Sequence, residues 1–92
     1  MDKDPRYKTV KILIEGGHIS ELRQVFESIP KTKVASDLGI NYKRFVRLSG
    51  DVEKLKVEDI NAIAAIFDVD KRSVFNLIAN QIDNDKKARK KK

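Results

Sequence analysis

The chain has 92 residues, no cysteine, one histidine and a formal net charge of +6. That length sets one domain as the expectation and allows one modest core, burying about 60–65% of the surface the unfolded chain exposes. Without cysteine, disulfides, thiolate metal sites and thiol catalysis are excluded. Near the N-terminus the longest apolar run is Ile12-Leu13-Ile14, too short for a signal peptide, and no segment approaches the ~20 apolar residues that span a bilayer. The expectation is a cytoplasmic protein with no membrane partner.

In chain order, Asp4-Pro5 reads as an N-cap followed by proline at the first helical position. Tyr7, Val10, Leu13 and Ile14 then fit a helical stripe, whereas Val10, Ile12 and Ile14 fit a strand equally well. The helix is preferred because no second strand candidate exists to pair with it. Gly16-Gly17 ends the segment. Ile19, Leu22, Val25, Phe26 and Ile29 predict a helix from His18 to Pro30. Val34, Ala35 and Leu38 mark the inner face of a short helix that Gly39 ends, and Asn41 caps the next. Phe45 and Leu48 face inward from that helix, which spans about 42–49 and stops at Ser49-Gly50-Asp51. Val57, Ile60, Ile63, Ala64 and Phe67 predict a further amphipathic helix. Asp70 caps the last one, with Val74, Phe75, Ile78 and Ile82 apolar. Connections this short predict a compact all-α domain.

Charge is placed unevenly. Six of the 20 cations crowd into residues 86–92, which leaves residues 1–85 with 14 basic and 14 acidic groups. Asp83 and Asp85 disfavour helix just before that tail, so it is expected to be disordered and to act at most as a sequence-independent phosphate arm. Within the neutral body, residues 38–50 hold Lys43, Arg44 and Arg47 and no acid. Local asymmetry of this kind suits a polyanion-binding face. Two helices joined by a glycine turn, with a small residue at Ala35 where they cross, fit a helix-turn-helix. Tyr42, Lys43, Arg44 and Arg47 fall on the side of the second helix that such a motif sets into the major groove.

At these residues the sequence resembles the lambda-repressor-like, XRE-type DNA-binding domains. "VASDLGI" stands where that family has a "LAEKLGV"-like stretch, "NYKRFVRL" stands for the recognition helix, and "VEDINAIAAIFDVDKRSVFNL" resembles the fourth and fifth helices. The resemblance covers about residues 19–80. It implies a five-helix domain at 18–83, with an N-terminal extension at 1–17 that is read as helical and a basic tail at 84–92. The pattern departs from the family at Pro30-Lys31, where Ser or Thr then Gln is usual. Ser49 stands where Glu is usual, and Gly50 comes about one residue early.

Carried over residue by residue, the resemblance implies a DNA-contact set of Lys31, Thr32, Lys33, Asn41, Tyr42, Lys43, Arg44 and Arg47. Lys31 would anchor the second helix to phosphate, with Thr32 and Lys33 in support. It implies transcription regulation, double-stranded DNA as partner and, by family habit, a homodimer. No cofactor, metal, small-molecule substrate or enzymatic activity is expected, because no P-loop or dinucleotide fingerprint occurs and His18 stands alone beside Gly17. The competing expectation is a helical protein-interaction module, such as the antitoxin half of a toxin–antitoxin pair, docking through the apolar segment 7–14.

Overall fold

Asp4 opens the first helix as the sequence suggests. Its carboxylate accepts the Arg6 backbone N–H at 2.9 Å, and Pro5 occupies the first helical position, where a missing N–H costs nothing. In the computed structural model, which describes residues 4–90, α1 spans Pro5–Glu15. Tyr7, Val10 and Ile14 are buried along one side, while Ile12 is 57% exposed. A strand would have buried Ile12 beside Val10 and Ile14. The helical stripe settles the ambiguity, and α1 becomes a wall of the core.

The rest of the chain is also helical. A 3-10 helix covers Leu22–Glu27, α2 Lys31–Leu38, α3 Tyr42–Gly50, a second 3-10 turn Val52–Lys54, α4 Val57–Phe67 and α5 Lys71–Lys90. There is no strand among the described residues. One buried cluster joins Val10 of α1, Val25, Ile29, Val34 and Ala35 of the middle segment, Phe45 of α3, Phe67 of α4 and Val74 of α5. α4 packs against α1, α2 and α5, so it is the element around which the others assemble. The Tyr7 and Phe67 rings meet at 5.4 Å, tilted by 55°, which ties α1 to the end of α4.

Four expectations change. The helix expected over 18–29 is only the 3-10 element at Leu22–Glu27. Its first donors are taken by side chains. Gln24 Oε1 accepts the N–H of Ser20 at 2.7 Å and of Glu21 at 2.9 Å, and Gln81 Oε1 accepts that of Arg23 at 2.9 Å. Glu21 is extended and Pro30 closes the segment, so the helix does not run on from His18.

Val57, at the first position of α4, is 63% exposed and lies outside the core. Phe75 is 43% exposed, and Leu77 and Gln81 fill the inner face of α5 instead.

The tail is not disordered as expected. α5 runs on through Asp83 and Asp85 to Lys90, and residues 91 and 92 lie outside the described part. Four contacts hold the preceding turns of α5 to the 20–23 segment: Gln81 accepts the Arg23 N–H at 2.9 Å, Arg23 donates to Asp85 at 2.8 Å, Asn84 donates to Glu21, and Asn80 donates to the Ser20 carbonyl at 3.0 Å. Lysines and arginine at a helix C-terminus also face the negative end of its dipole, which favours the extension.

Candidate functional site

α2 and α3 are joined by three residues with well-defined chemistry. Gly39 adopts φ 72°, ψ 28°, the left-handed conformation that an L side chain resists. Its N–H bonds back to Ser36, and the Ile40 N–H reaches the Ala35 carbonyl at 3.0 Å, which closes the helix end. Asn41 then caps α3 by accepting the Arg44 N–H at 3.2 Å. Ala35 is 1% exposed beneath the pair. Phe45, Leu48 and Ser49 form the buried side of α3, and the Ser49 hydroxyl returns its hydrogen bond to Val46 at 3.0 Å.

These buried positions fix what α3 shows to solvent. At about 100° per residue, Lys43 and Arg47 point directly away from the Phe45–Leu48 ridge, with Tyr42 and Arg44 on either flank. All four are exposed, Tyr42 at 49%. No acid lies in the first turn, so the positive end of the helix dipole adds to the side-chain charges. Elsewhere some cations are paired with acids, whereas others, Lys8, Lys56, Lys71 and Arg72 among them, have no such pair among the described residues. Arg6 holds Asp4 at 2.5 Å, Arg23 holds Asp85 at 2.8 Å, and Lys11 holds Glu15 at 3.2 Å. Among the described residues, no carboxylate pairs with Lys43, Arg44 or Arg47. The resulting surface is cationic, carries an aromatic edge and is free of internal ion pairs.

The α2 candidates behave differently from one another. Lys31 is half-buried, and its ammonium lies 5.6 Å from the centre of the Phe26 ring. That ring meets Phe45 edge-on at 5.6 Å. A cation over such a ring gains about 0.5–1 kcal/mol, so Lys31 is positioned by the same aromatic pair that seats α3. Thr32 is exposed at the start of α2.

Lys33 turns to Asp37 at 3.4 Å, one helical turn on, and does not join the unpaired set. Asp37 also accepts the Tyr7 hydroxyl at 2.6 Å. That hydrogen bond, followed by Lys33, holds the Asp37 carboxyl below its usual value. Burial first, and then the same bond, push the Tyr7 phenol up. Lys33 therefore belongs to a link between α1 and α2. The i,i+4 spacing of Lys33 and Asp37 signals this pairing in the sequence.

His18 is exposed and donates its backbone N–H to Leu13 at 2.9 Å, a loop role. No cluster of three potential metal ligands occurs among the described residues, and no described helix is long and apolar enough to cross a membrane. A cavity of ≈ 370 Å³ lies between α1 and the end of α4, lined by Tyr7, Lys11, Ile66 and Phe67 among others. It offers a ligand no unpaired buried side-chain polar group among the described residues. Comparison of the chain with protein-family models, curated proteins and solved structures gives no match.

Proposed function

We propose that this chain is a sequence-specific double-stranded DNA-binding protein of lambda-repressor-like architecture. In this reading it is a transcription regulator, acting in the cytoplasm, that sets α3 into the major groove. The observation that carries the proposal is the exposed face of Lys43, Arg44 and Arg47, unpaired and free of acids. This face is borne on a helix whose aim is set by Gly39, Asn41 and the Ala35 crossing. Arg and Lys donate to guanine O6 and N7, and a well-formed contact of this kind is worth about 1–3 kcal/mol of discrimination. Lys31 and Thr32, at the start of α2, are assigned to phosphate, which positions the protein without reading bases. Tyr42 and the free amide nitrogen of Asn41 lie at the edge of the same surface.

Selection of bound sequences from a random duplex pool tests this. The expected result is a defined consensus of a few base pairs. Two such half-sites about one helical turn apart would identify a homodimer. Recovery of an unenriched pool, at salt that already removes non-specific binding, would overturn the proposal.

A further inference from the structure

A second acid-free run of cations lies outside α3. Residues 86–90 carry Lys86, Lys87, Arg89 and Lys90, and the side chains of Lys86 and Lys87 are exposed. They sit on the last turns of α5, a continuous helix, so their backbone is already ordered. The turn just before them is clamped. Gln81 is 1% exposed and holds the Arg23 N–H, Asn84 donates to Glu21, and Asp85 accepts from Arg23.

The clamp also fixes where the basic turns begin. Ile82 and Asp85 line one cavity with Gly50, Asp51, Val52 and Glu53, the chain leaving α3. Lys86 follows at once, and the basic turns rise about 8 Å further along α5. Of the acids lining this junction, Asp85 is answered by Arg23 and Asp51 by Lys54 at 3.7 Å, while Glu53 forms no ion pair among the described residues.

We propose that residues 86–90 form a second phosphate-binding element. It grips the DNA backbone beyond one edge of the site read by α3, on the side of the α3 C-terminus. This rests on the α3 reading for the identity of the partner, and its own content is the fixed, one-sided position. An ordered helix beside Gly50 places its charges at one flank. A free tail would spread them over both.

The test compares the full chain with its Lys86→Gln/Lys87→Gln variant, which keeps helix-forming residues and removes two charges. On a random-sequence duplex of about two helical turns, the log–log salt slope should flatten by up to about 1.8, at about 0.9 per phosphate. On a selected duplex, hydroxyl-radical protection should be lost at one edge of each half-site only, with base preference unchanged. An unchanged slope with an unchanged footprint would overturn the proposal. Loss shared equally by both edges of a single half-site would also overturn it, since it would mean an untethered arm. So would loss of binding to phosphatidylserine-containing vesicles in the variant with both DNA readouts intact, because the element would then serve a lipid surface. Failure of the α3 reading looks different: Lys43 and Arg47 variants would retain sequence preference, or none would be selected. The salt slope on random duplex would still decide the role of 86–90.

Discussion

Replacing Gly39 with Ala tests whether the turn between α2 and α3 is set by backbone conformation. A Cβ built at Gly39 meets no atom within 4 Å, so the substitution creates no clash, and any cost comes from holding an L residue at φ 72°. That conformation costs about 1–2 kcal/mol. Alanine recovers roughly 0.4–1 kcal/mol by restricting the unfolded chain, which leaves a net loss of about 1 kcal/mol. In a domain of this size the Tm should fall by about 4–8 °C.

Two comparisons sharpen the result. Asp68 occupies φ 56°, ψ 47° at the end of α4, so the chain already carries a short polar side chain in this conformation. Gly39→Asn should therefore cost about half as much as Gly39→Ala. Gly50, also with open space around its Cβ but helical, should tolerate alanine with a gain of up to about 0.5–1 kcal/mol. Thermal melts followed by circular dichroism give all three values. A Gly39→Ala protein that melts at or above the parent temperature would refute the argument that this glycine's backbone sets the angle between the two helices.

Other perturbations probe the packing around the site. Ala35→Leu should overpack the α2–α3 crossing, where Ala35 is 1% exposed, and destabilise by about 1–3 kcal/mol in urea titrations. Gln81→Leu leaves the Arg23 N–H without its acceptor in a partly buried setting, and a loss of about 1 kcal/mol is expected despite the added apolar surface. Acid should destabilise the fold in a definite window. Hydrogen bonds from Arg6 lower Asp4 to about 2, those from Arg23 and Asn84 lower Glu21, and that from Tyr7 lowers Asp37. Depressed carboxyls stabilise above their unfolded values near ~4 and lose that contribution as pH falls through their folded values, so the Tm should drop below about pH 4. Tyr7 has the opposite sign. Its raised value favours the folded state below about pH 10 and ceases to do so as pH climbs above that, which a melt series up to alkaline pH would register.

Short-range signals made α2, the turn and α3 legible. Gly39 and Asn41 act on residues within five positions, through carbonyl caps and an N-cap bond, and their meaning does not depend on distant chain. The same holds for Asp4-Pro5 at the head of α1. Where long-range partners decide, the pattern misled. Ile19, Leu22, Val25 and Ile29 are spaced for an α-helix, yet Gln81, 58 residues from Arg23, takes a donor that the helix would need. In α5, Val74 and Phe75 are adjacent, and apolar character alone cannot say which turns inward. The core chose Val74, Leu77 and Gln81, the last a polar residue retained for its acceptor. The tail looked too charged to fold because its anchor, Asp85 to Arg23, spans 62 residues. At the site itself the α3 cations could be read from the absence of acids. The diversion of Lys33 to Asp37 could have been read too, from its i,i+4 spacing.

The central claim is that α3 reads DNA through its unpaired cations. It is tested most directly by the affinity of Lys43→Ala/Arg47→Ala for a selected duplex and for a random one, with Arg72→Ala as a control. Arg72 is exposed at the start of α5, so its removal takes away a charge from a helix other than α3. All three positions are solvent-exposed, and both proteins should melt like the parent. The α3 variant should lose about 2–6 kcal/mol of specific binding, from two contacts of about 1–3 kcal/mol each, and its ratio of specific to random affinity should collapse towards one. The control should keep that ratio. An α3 variant that stays folded and retains the parent's preference for the selected duplex would show that these cations do not read the bases.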